Sequence, residues 1–418
     1  MHFSLVRLVL LGFGFLGLSL LWGIYNAYVP IFLQAGRPDF SASAGVTGFG
    51  LGTTLTGFIM TLDNLAALFI LPYVGAWSDR LQTSWGRRRP FIAMGAPLAM
   101  ISFIAIPHAL GGPLVIFMLT IILMLLSMDL FRTPVIALMP DITPSPQRSQ
   151  ANGIINLMGG IGGILAAVAG GALFKISVGA PFYFGGIAML LACLVVLIFI
   201  REPIPVQTEA ELAEAPKLLD SLRSVVLDRD RSALRLLAAI FFWFLSFNAL
   251  EVFFTSFAVN VLKVNSGEAT TIAAFFALSI ILFSVPSGLI GARIGRKRAI
   301  QIGIAAFALL LTCGYFAHSV LQTQLLLAGS GAAWSLILVN SLPMVIDCAP
   351  PARIGAYTGL YYLASQSSAI VGPILAGKII ATFQNDYRII FLYGAMALGI
   401  AFAFMAGVRK GEALIQNG

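Results

Sequence analysis

The stretch Leu65-Ala66-Ala67-Leu68-Phe69-Ile70-Leu71-Pro72-Tyr73-Val74-Gly75-Ala76-Trp77-Ser78-Asp79-Arg80 carries an apolar run into charge. A few residues on, Gly86-Arg87-Arg88-Arg89-Pro90 opens a second apolar run at Phe91-Ile92. Two apolar segments, each long enough to cross the hydrocarbon of a bilayer and separated by a short basic loop, read as consecutive membrane helices. A β-barrel would show ten-residue alternation instead, and none is present.

The same pattern recurs along the whole chain. Of its 418 residues 59% are hydrophobic and 10% charged, with a mean hydropathy of +0.94. Soluble chains carry about a quarter of their residues as charges, which excludes a cytosolic enzyme, a nucleic-acid binder and a disordered scaffold. Apolar runs predict twelve spans near 8–33, 53–77, 91–110, 113–139, 151–174, 181–200, 236–262, 269–291, 299–317, 321–346, 356–382 and 387–408. The polar stretch 201–235 divides them into two sets of six. The expected organisation is a bundle over 1–200, a linker over 201–235 and a bundle over 236–418.

The formal charge of +8 follows from loop composition. With the N-terminus inside, all 25 Lys and Arg except Arg37, Lys175, Lys263, Arg388, Arg132 and Lys378 fall in cytoplasmic segments. This bias places both termini in the cytoplasm of a multi-pass protein of the inner or plasma membrane. Arg7 followed by a long apolar run without a small-residue cleavage site reads as a first span. Cys193, Cys313 and Cys348 lack metal-ligand spacing.

The halves repeat one another. Asp141-Ile142-Thr143-Pro144 with Gly153, and Asp347-Cys348-Ala349-Pro350 with Gly359, share an offset of 206 residues. The loop with Arg87, Arg88 and Arg89 has a shorter counterpart in Arg293-Ile294-Gly295-Arg296-Lys297-Arg298. Two pseudo-symmetric bundles of six related by an axis along the membrane normal imply a carrier.

Five ionisable residues fall inside spans: Asp63, Asp129, Arg132, Glu251 and Lys378. Each needs a partner, a wet cavity or a task, because a charge at membrane depth is expensive. Asp129 and Arg132 are three apart, so they can meet on one helix face, either as a static pair or as a cavity-lining pair whose balance a substrate shifts. Glu251 has no cation three or four positions away and shares a face with Phe244 and Asn248. It suits a proton carrier or an interhelical hydrogen bond. Asp63, beside Asn64, suits a site member, a relay or a helix–helix bond. Lys378 can snorkel to the interface, and His108 and His318 lie at helix ends.

Trp22, Tyr25 and Asn26 cluster on the first span, Trp334 and Asn340 on the tenth, and Tyr361, Tyr362, Ser365 and Gln366 on the eleventh. Aromatic faces beside amides and carboxylates suit a sugar, which presents apolar ring faces and many hydroxyls. The same side chains also serve as interfacial belts and interhelical glue. Glycines such as Gly162, Gly163, Gly170, Gly171 and Gly372 permit close helix approach. Asp79, Arg80, Arg87, Arg88, Arg89, Arg293 and Arg296 are either topology anchors or gate residues that bridge acids and helix ends.

With the loop motif and the span count in hand, the chain resembles the major facilitator superfamily. Gly86-Arg87-Arg88-Arg89-Pro90-Phe91-Ile92 is similar to the corresponding loop of plant sucrose transporters and their animal relatives. Thr133-Pro134 through Pro140-Asp141-Ile142-Thr143-Pro144 resembles the fourth-helix motif of glycoside–pentoside–hexuronide:cation symporters, and Phe247-Asn248-Ala249-Leu250-Glu251 their seventh-helix pattern. The resemblance implies glycoside uptake coupled to H+ or Na+. Melibiose-type members carry paired carboxylates where this chain has Ala67 and Leu71, and their fourth-helix Asp aligns with Arg132. Coupling to H+ through Asp129, Glu251 or Asp63 is therefore expected ahead of Na+.

The expected substrate site comprises Tyr25, Asn26, Asp129, Arg132, Asn248, Glu251, Asn340 and Gln366, with no metal or resident cofactor. A proton-driven exporter of amphipathic compounds is the alternative. No nucleophile–base motif or His/Cys cluster suggests an enzyme. The expected partners are a small molecule, a sugar, and the lipid bilayer, with the protein working as a monomer.

Overall fold

The structure, a computed structural model, describes residues 5–81, 83–143, 148–202, 230–349 and 354–411. Most of the 201–235 linker lies outside these residues. The described residues form helices α1 (Leu5–Gln34), α2 (Thr53–Ile59), α3 (Leu62–Arg80), α4 (Arg89–His108), α5 (Leu114–Ile142), α6 (Arg148–Phe174) and α7 (Ala180–Phe199). They continue as α8 (Ser232–Val261), α9 (Ser266–Ile294), α10 (Arg296–Tyr315), α11 (Val320–Cys348), α12 (Ile354–Thr382) and α13 (Ile389–Ala406). Among the described residues, eleven helices are long and apolar enough to cross a membrane. Such helices bond the backbone polar groups of their interiors within the segment, as hydrocarbon requires.

The expected second span, 53–77, is interrupted. The α-helix stops at Ile59 and resumes at Leu62, and the Thr61 backbone and hydroxyl both donate to Phe58 O, at 3.1 and 2.8 Å. These bonds close a tight turn at the end of α2. Asp63 consequently lies in the first turn of α3 rather than at mid-helix, where the helix dipole favours a carboxylate.

The chain divides into two compact units. Unit 1 holds Met1–Gly52, Leu62–Pro205 and Ala258–Ala274; unit 2 holds Thr53–Thr61, Val206–Phe257 and Phe275–Gly418. In unit 1, α1 packs against α6 and α7, and α4 against α5 and α7. Small residues bring α1 and α6 close: a Cβ on Gly162 would sit 2.3 Å from Leu16 O. In unit 2, α10 packs against α11 and α13.

Each unit includes a short segment from the other sequence half, and the two exchanges match. In unit 2, α2 packs on α12: Thr53 Oγ1 donates to Gly377 O at 2.8 Å, and a Cβ on Gly377 would lie 2.3 Å from Thr53 O. In unit 1, the start of α9 lies on α6: a Cβ on Gly171 would meet Gly267 O at 2.5 Å, and one on Gly267 would meet Gly171 O at 2.4 Å. Gly171 and Gly377 are 206 residues apart, the offset already seen for Asp141 and Asp347. Ser266 Oγ donates to Ala44 O at 2.6 Å and Ser41 N to Asn260 Oδ1 at 2.8 Å, completing the unit 1 junction.

Candidate functional site

In unit 1 the expected residues of α1 and α5 come together. Trp22 and Tyr25 meet edge to face at 5.4 Å, and the Arg132 guanidinium lies 5.9 Å from the Trp22 ring centroid. Asp129 is 3% exposed. Among the described residues no hydrogen bond or ion pair joins Asp129 to Arg132. Arg132 turns to the indole face, a cation–π arrangement, and Asp129 Oδ2 has no hydrogen-bond partner. Trp22 Nε1, Tyr25 OH and Thr133 Oγ1 are likewise buried without partners. Four unsatisfied polar atoms on two neighbouring helices are unusual, because each such group costs about 1–3 kcal/mol. They comprise donors on α1, with two aromatic rings beside them, and an acceptor on α5. Asn26 is half-buried on the same helix.

In unit 2 an aromatic group forms around Trp334, which is 2% exposed. Phe247 stacks on it at 4.8 Å and 7°, and Phe244 meets both Trp334 and Tyr361 edge-on, at 5.3 and 6.2 Å. Tyr361 OH and Ser341 Oγ share a hydrogen bond of 3.2 Å. Asn248 Nδ2 donates to Phe244 O at 2.8 Å and Ser368 Oγ at 3.3 Å. Asn340 Nδ2 donates to Ser287 O and Leu336 O, at 3.2 and 2.9 Å. A Cβ on Gly291 would overlap Asn340 Oδ1, so this amide ties α9 to α11. Glu251 is exposed and Gln366 half-buried. Ser341 and Ser368 carried no sequence signal, and Phe247 and Thr133 stood out only as members of the two helix motifs. Phe247 precedes Asn248, but its stacking on Trp334 has no sequence signal.

The basic loops have a defined structure. Gly86 adopts φ +108 and Gly295 φ +92, conformations that favour glycine, and each immediately precedes a basic triplet. The residue after the glycine then pairs with the repeated aspartate. Arg87 Nη2 reaches Asp141 Oδ1 at 2.7 Å, and Arg296 pairs with Asp347. Arg88 adds a bond from Nε to Asp141 Oδ2 at 3.2 Å and another to Ser78 Oγ. Next, Arg89 donates to Leu197 O at the end of α7, while Lys297 Nζ reaches Ala406 O and Val408 O at the end of α13, at 3.0 and 2.5 Å. Cations at helix C-termini complement the dipole.

Glu202, in the polar stretch after α7, completes the first loop. Its carboxylate accepts from the backbone N–H groups of Arg87, Arg88 and Arg89, each at 2.8 Å. Each of these bonds closes within one unit. Arg293 is exposed and makes no hydrogen bond or ion pair among the described residues. The side chains of Asp79 and Arg80 lie outside the described ones. Lys378 and His318 are exposed, and His108 Nε2 lies 2.6 Å from Tyr183 OH.

An all-helical membrane fold with two repeats and polar groups held inside apolar helices defines a transporter rather than an enzyme. The chain belongs to the MFS/sugar transport protein family, whose model matches residues 11–389, within the major facilitator superfamily. It is 23% identical over 369 residues to "Multidrug resistance protein 2" of Bacillus subtilis, covering 88% of this chain and 89% of that one. It is 26% identical over 220 residues to "Sucrose transport protein SUC3" of Arabidopsis thaliana, covering 44% of this chain and 37% of that one. A variant of the nucleoside transporter NupG superposes with a TM-score of 0.74 at 18% identity, covering 97% of this chain and 100% of that one.

Proposed function

We propose that the protein is a proton-coupled sugar symporter of the inner or plasma membrane, with both termini cytoplasmic. Its repeats 1–200 and 236–418 give alternating access to the solute. The observation that carries this reading is the set of four unpartnered buried polar atoms at Trp22, Tyr25, Asp129 and Thr133. A polyhydroxylated ring supplies both donors and acceptors to such a set while its apolar face covers the indole. Asp129, Glu251 and Asp63 are the carboxylates through which H+ couples. Arg132 holds the solute's hydroxyls; unit 2 by itself has ring faces in its Phe244, Phe247 and Trp334 group.

The test is equilibrium binding of a panel of mono- and disaccharides to the purified protein. Wild type binds at least one sugar. Asp129→Asn weakens that sugar by about tenfold or more, since a buried bond to a charged group contributes about 1.5–3 kcal/mol. Trp22→Phe weakens it less, since a neutral bond contributes about 0.5–1.5 kcal/mol. Unchanged affinity in both variants would sink the site.

A second reading has an observation of its own. The similarity to the multidrug resistance protein extends over nearly all of both chains, whereas that to the sucrose transporter covers less than half of either. In this reading the aromatic group takes an amphipathic solute and H+ drives it outward. Accumulation of a lipophilic cation in inside-out vesicles energised with a proton gradient, with no sugar bound, would favour it.

A further inference from the structure

An apolar groove of about 350 Å³ runs between α4 and α7, lined among others by Trp85, Arg89, Ala93, Leu190, Leu194 and Ile198. It belongs to unit 1 and plays no part in the polar cluster at Asp129. The residues flanking it point outward and are apolar: Met94, Leu98, Leu191 and Phe199 are all exposed, so hydrocarbon surrounds the groove in the bilayer.

One end of the groove is different. The Arg89 guanidinium lies 5.7 Å from the Trp85 ring centroid, and Trp85 itself is 60% exposed. Indole rings of this kind settle at headgroup depth. Arg89 Nε is buried and has no partner, although the other guanidinium nitrogens reach Leu197 O and Trp85 O. Arg201, just past the end of α7, is exposed and makes no hydrogen bond or ion pair among the described residues. The nearby anion, Glu202, is engaged by three backbone N–H groups at the start of α4. This end of the groove therefore carries the Arg89 cation, with Arg201 following the helix end at Phe199, and the nearby carboxylate is already in use.

We propose that this groove binds an anionic phospholipid from the leaflet that faces the basic loops. One acyl chain lies between α4 and α7, and the phosphate sits against Arg89 and Arg201. Charge complementarity sets the headgroup, and the apolar lining sets the chain. A Lys or Arg at the membrane surface contributes about 1 kcal/mol toward an anionic lipid, or about fivefold in affinity. The proposal does not depend on which solute the protein carries.

The test is native mass spectrometry of the purified full chain, titrated separately with dioleoylphosphatidylglycerol and dioleoylphosphatidylcholine. Wild type is expected to take up one phosphatidylglycerol about tenfold or more tightly than phosphatidylcholine. Arg201→Gln removes a side chain with no bond among the described residues and is expected to lower phosphatidylglycerol affinity about fivefold, leaving phosphatidylcholine unchanged. Ala93→Phe fills the groove while preserving every bond of Arg89, and is expected to abolish the tight site. Equal uptake of the two lipids in wild type, or phosphatidylglycerol binding unmoved by both substitutions, would overturn the proposal.

Discussion

Arg87 donates to Asp141 across 2.7 Å with its side chain 8% exposed and that of the aspartate 16%, while the equivalent Arg296–Asp347 pair is 25% and 35% exposed. The same bond thus occurs twice in the repeat, in two different environments. Coulomb attraction and the penalty for leaving a charge unpaired both grow as water is excluded. The first loop adds Arg88 to the same carboxylate, whereas among the described residues Asp347 pairs with Arg296 alone.

That asymmetry has a consequence for stability. Asp141→Asn removes the charge opposite two largely buried guanidinium groups and is expected to destabilise unit 1 by about 3–5 kcal/mol. Asp347→Asn is expected to cost about 1 kcal/mol or less, as more exposed pairs do. Thermal unfolding in one detergent reads both, and equal losses would contradict the difference in environment.

Gly86 and Glu202 form a second testable pair. A Cβ on Gly86 would sit 2.8 Å from the Glu202 carboxyl group, and the backbone there is left-handed. Gly86→Ala is therefore expected to displace the carboxylate as well as strain the turn. Glu202→Gln keeps the shape and removes the charge facing the start of α4, a loss of about 2 kcal/mol. Hydrogen exchange at the amides of Arg87, Arg88 and Arg89 should rise in both variants, while exchange at the start of α10 stays unchanged.

The matched glycine crossings predict matched responses. Gly171→Val and Gly377→Val both place methyl groups where a backbone carbonyl lies within about 2.5 Å of the Cβ. The second substitution should free Thr53–Ile59, seen as faster exchange of those amides. The first should free the start of α9 in the same way. An effect at only one crossing would break the equivalence of the repeats at this level.

Asp230 supplies a pH test outside the membrane. Its carboxyl is pulled down to about 2, first by the Ser232 hydroxyl and the Ser232 backbone N–H, and then by Lys410. The free carboxyl titrates near 4. A group lowered on folding stabilises above its unfolded value and loses that contribution as pH falls through the folded one. The tie from Asp230 to Lys410, 3.2 Å long, should therefore persist down to pH 4 and fail only near pH 2. The carbon-13 resonance of the labelled Asp230 carboxyl checks the midpoint, and Ser232→Ala should move it upward.

Much of the fold is legible in the residues because hydrocarbon imposes a strong and simple constraint. Apolar length marked the helices, and the shared offset of Asp141 and Asp347 marked the repeat. The break between Ile59 and Leu62 was not legible, since Met60 and Thr61 interrupt neither hydropathy nor length. The site was partly legible. Trp22, Tyr25 and Asp129 stood out by type, but spacing does not decide that Arg132 lies over the indole with no hydrogen bond to Asp129 among the described residues. Glu202 was missed because it sits within a polar stretch that reads as linker, and its partners are backbone N–H groups with no sequence signature. Asn340 reads as a sugar contact by type, yet the absent side chain at Gly291 gives its amide a structural place.

The central claim, that buried carboxylates couple a sugar to H+, is tested most directly by sugar-induced pH change in proteoliposomes, with Asp129→Asn and Glu251→Gln beside wild type. The account requires that one sugar alkalinise the outside medium as it enters, and that the signal disappear in at least one variant while the sugar still binds. Sugar uptake with no proton movement, or proton movement undiminished in both variants, would contradict it.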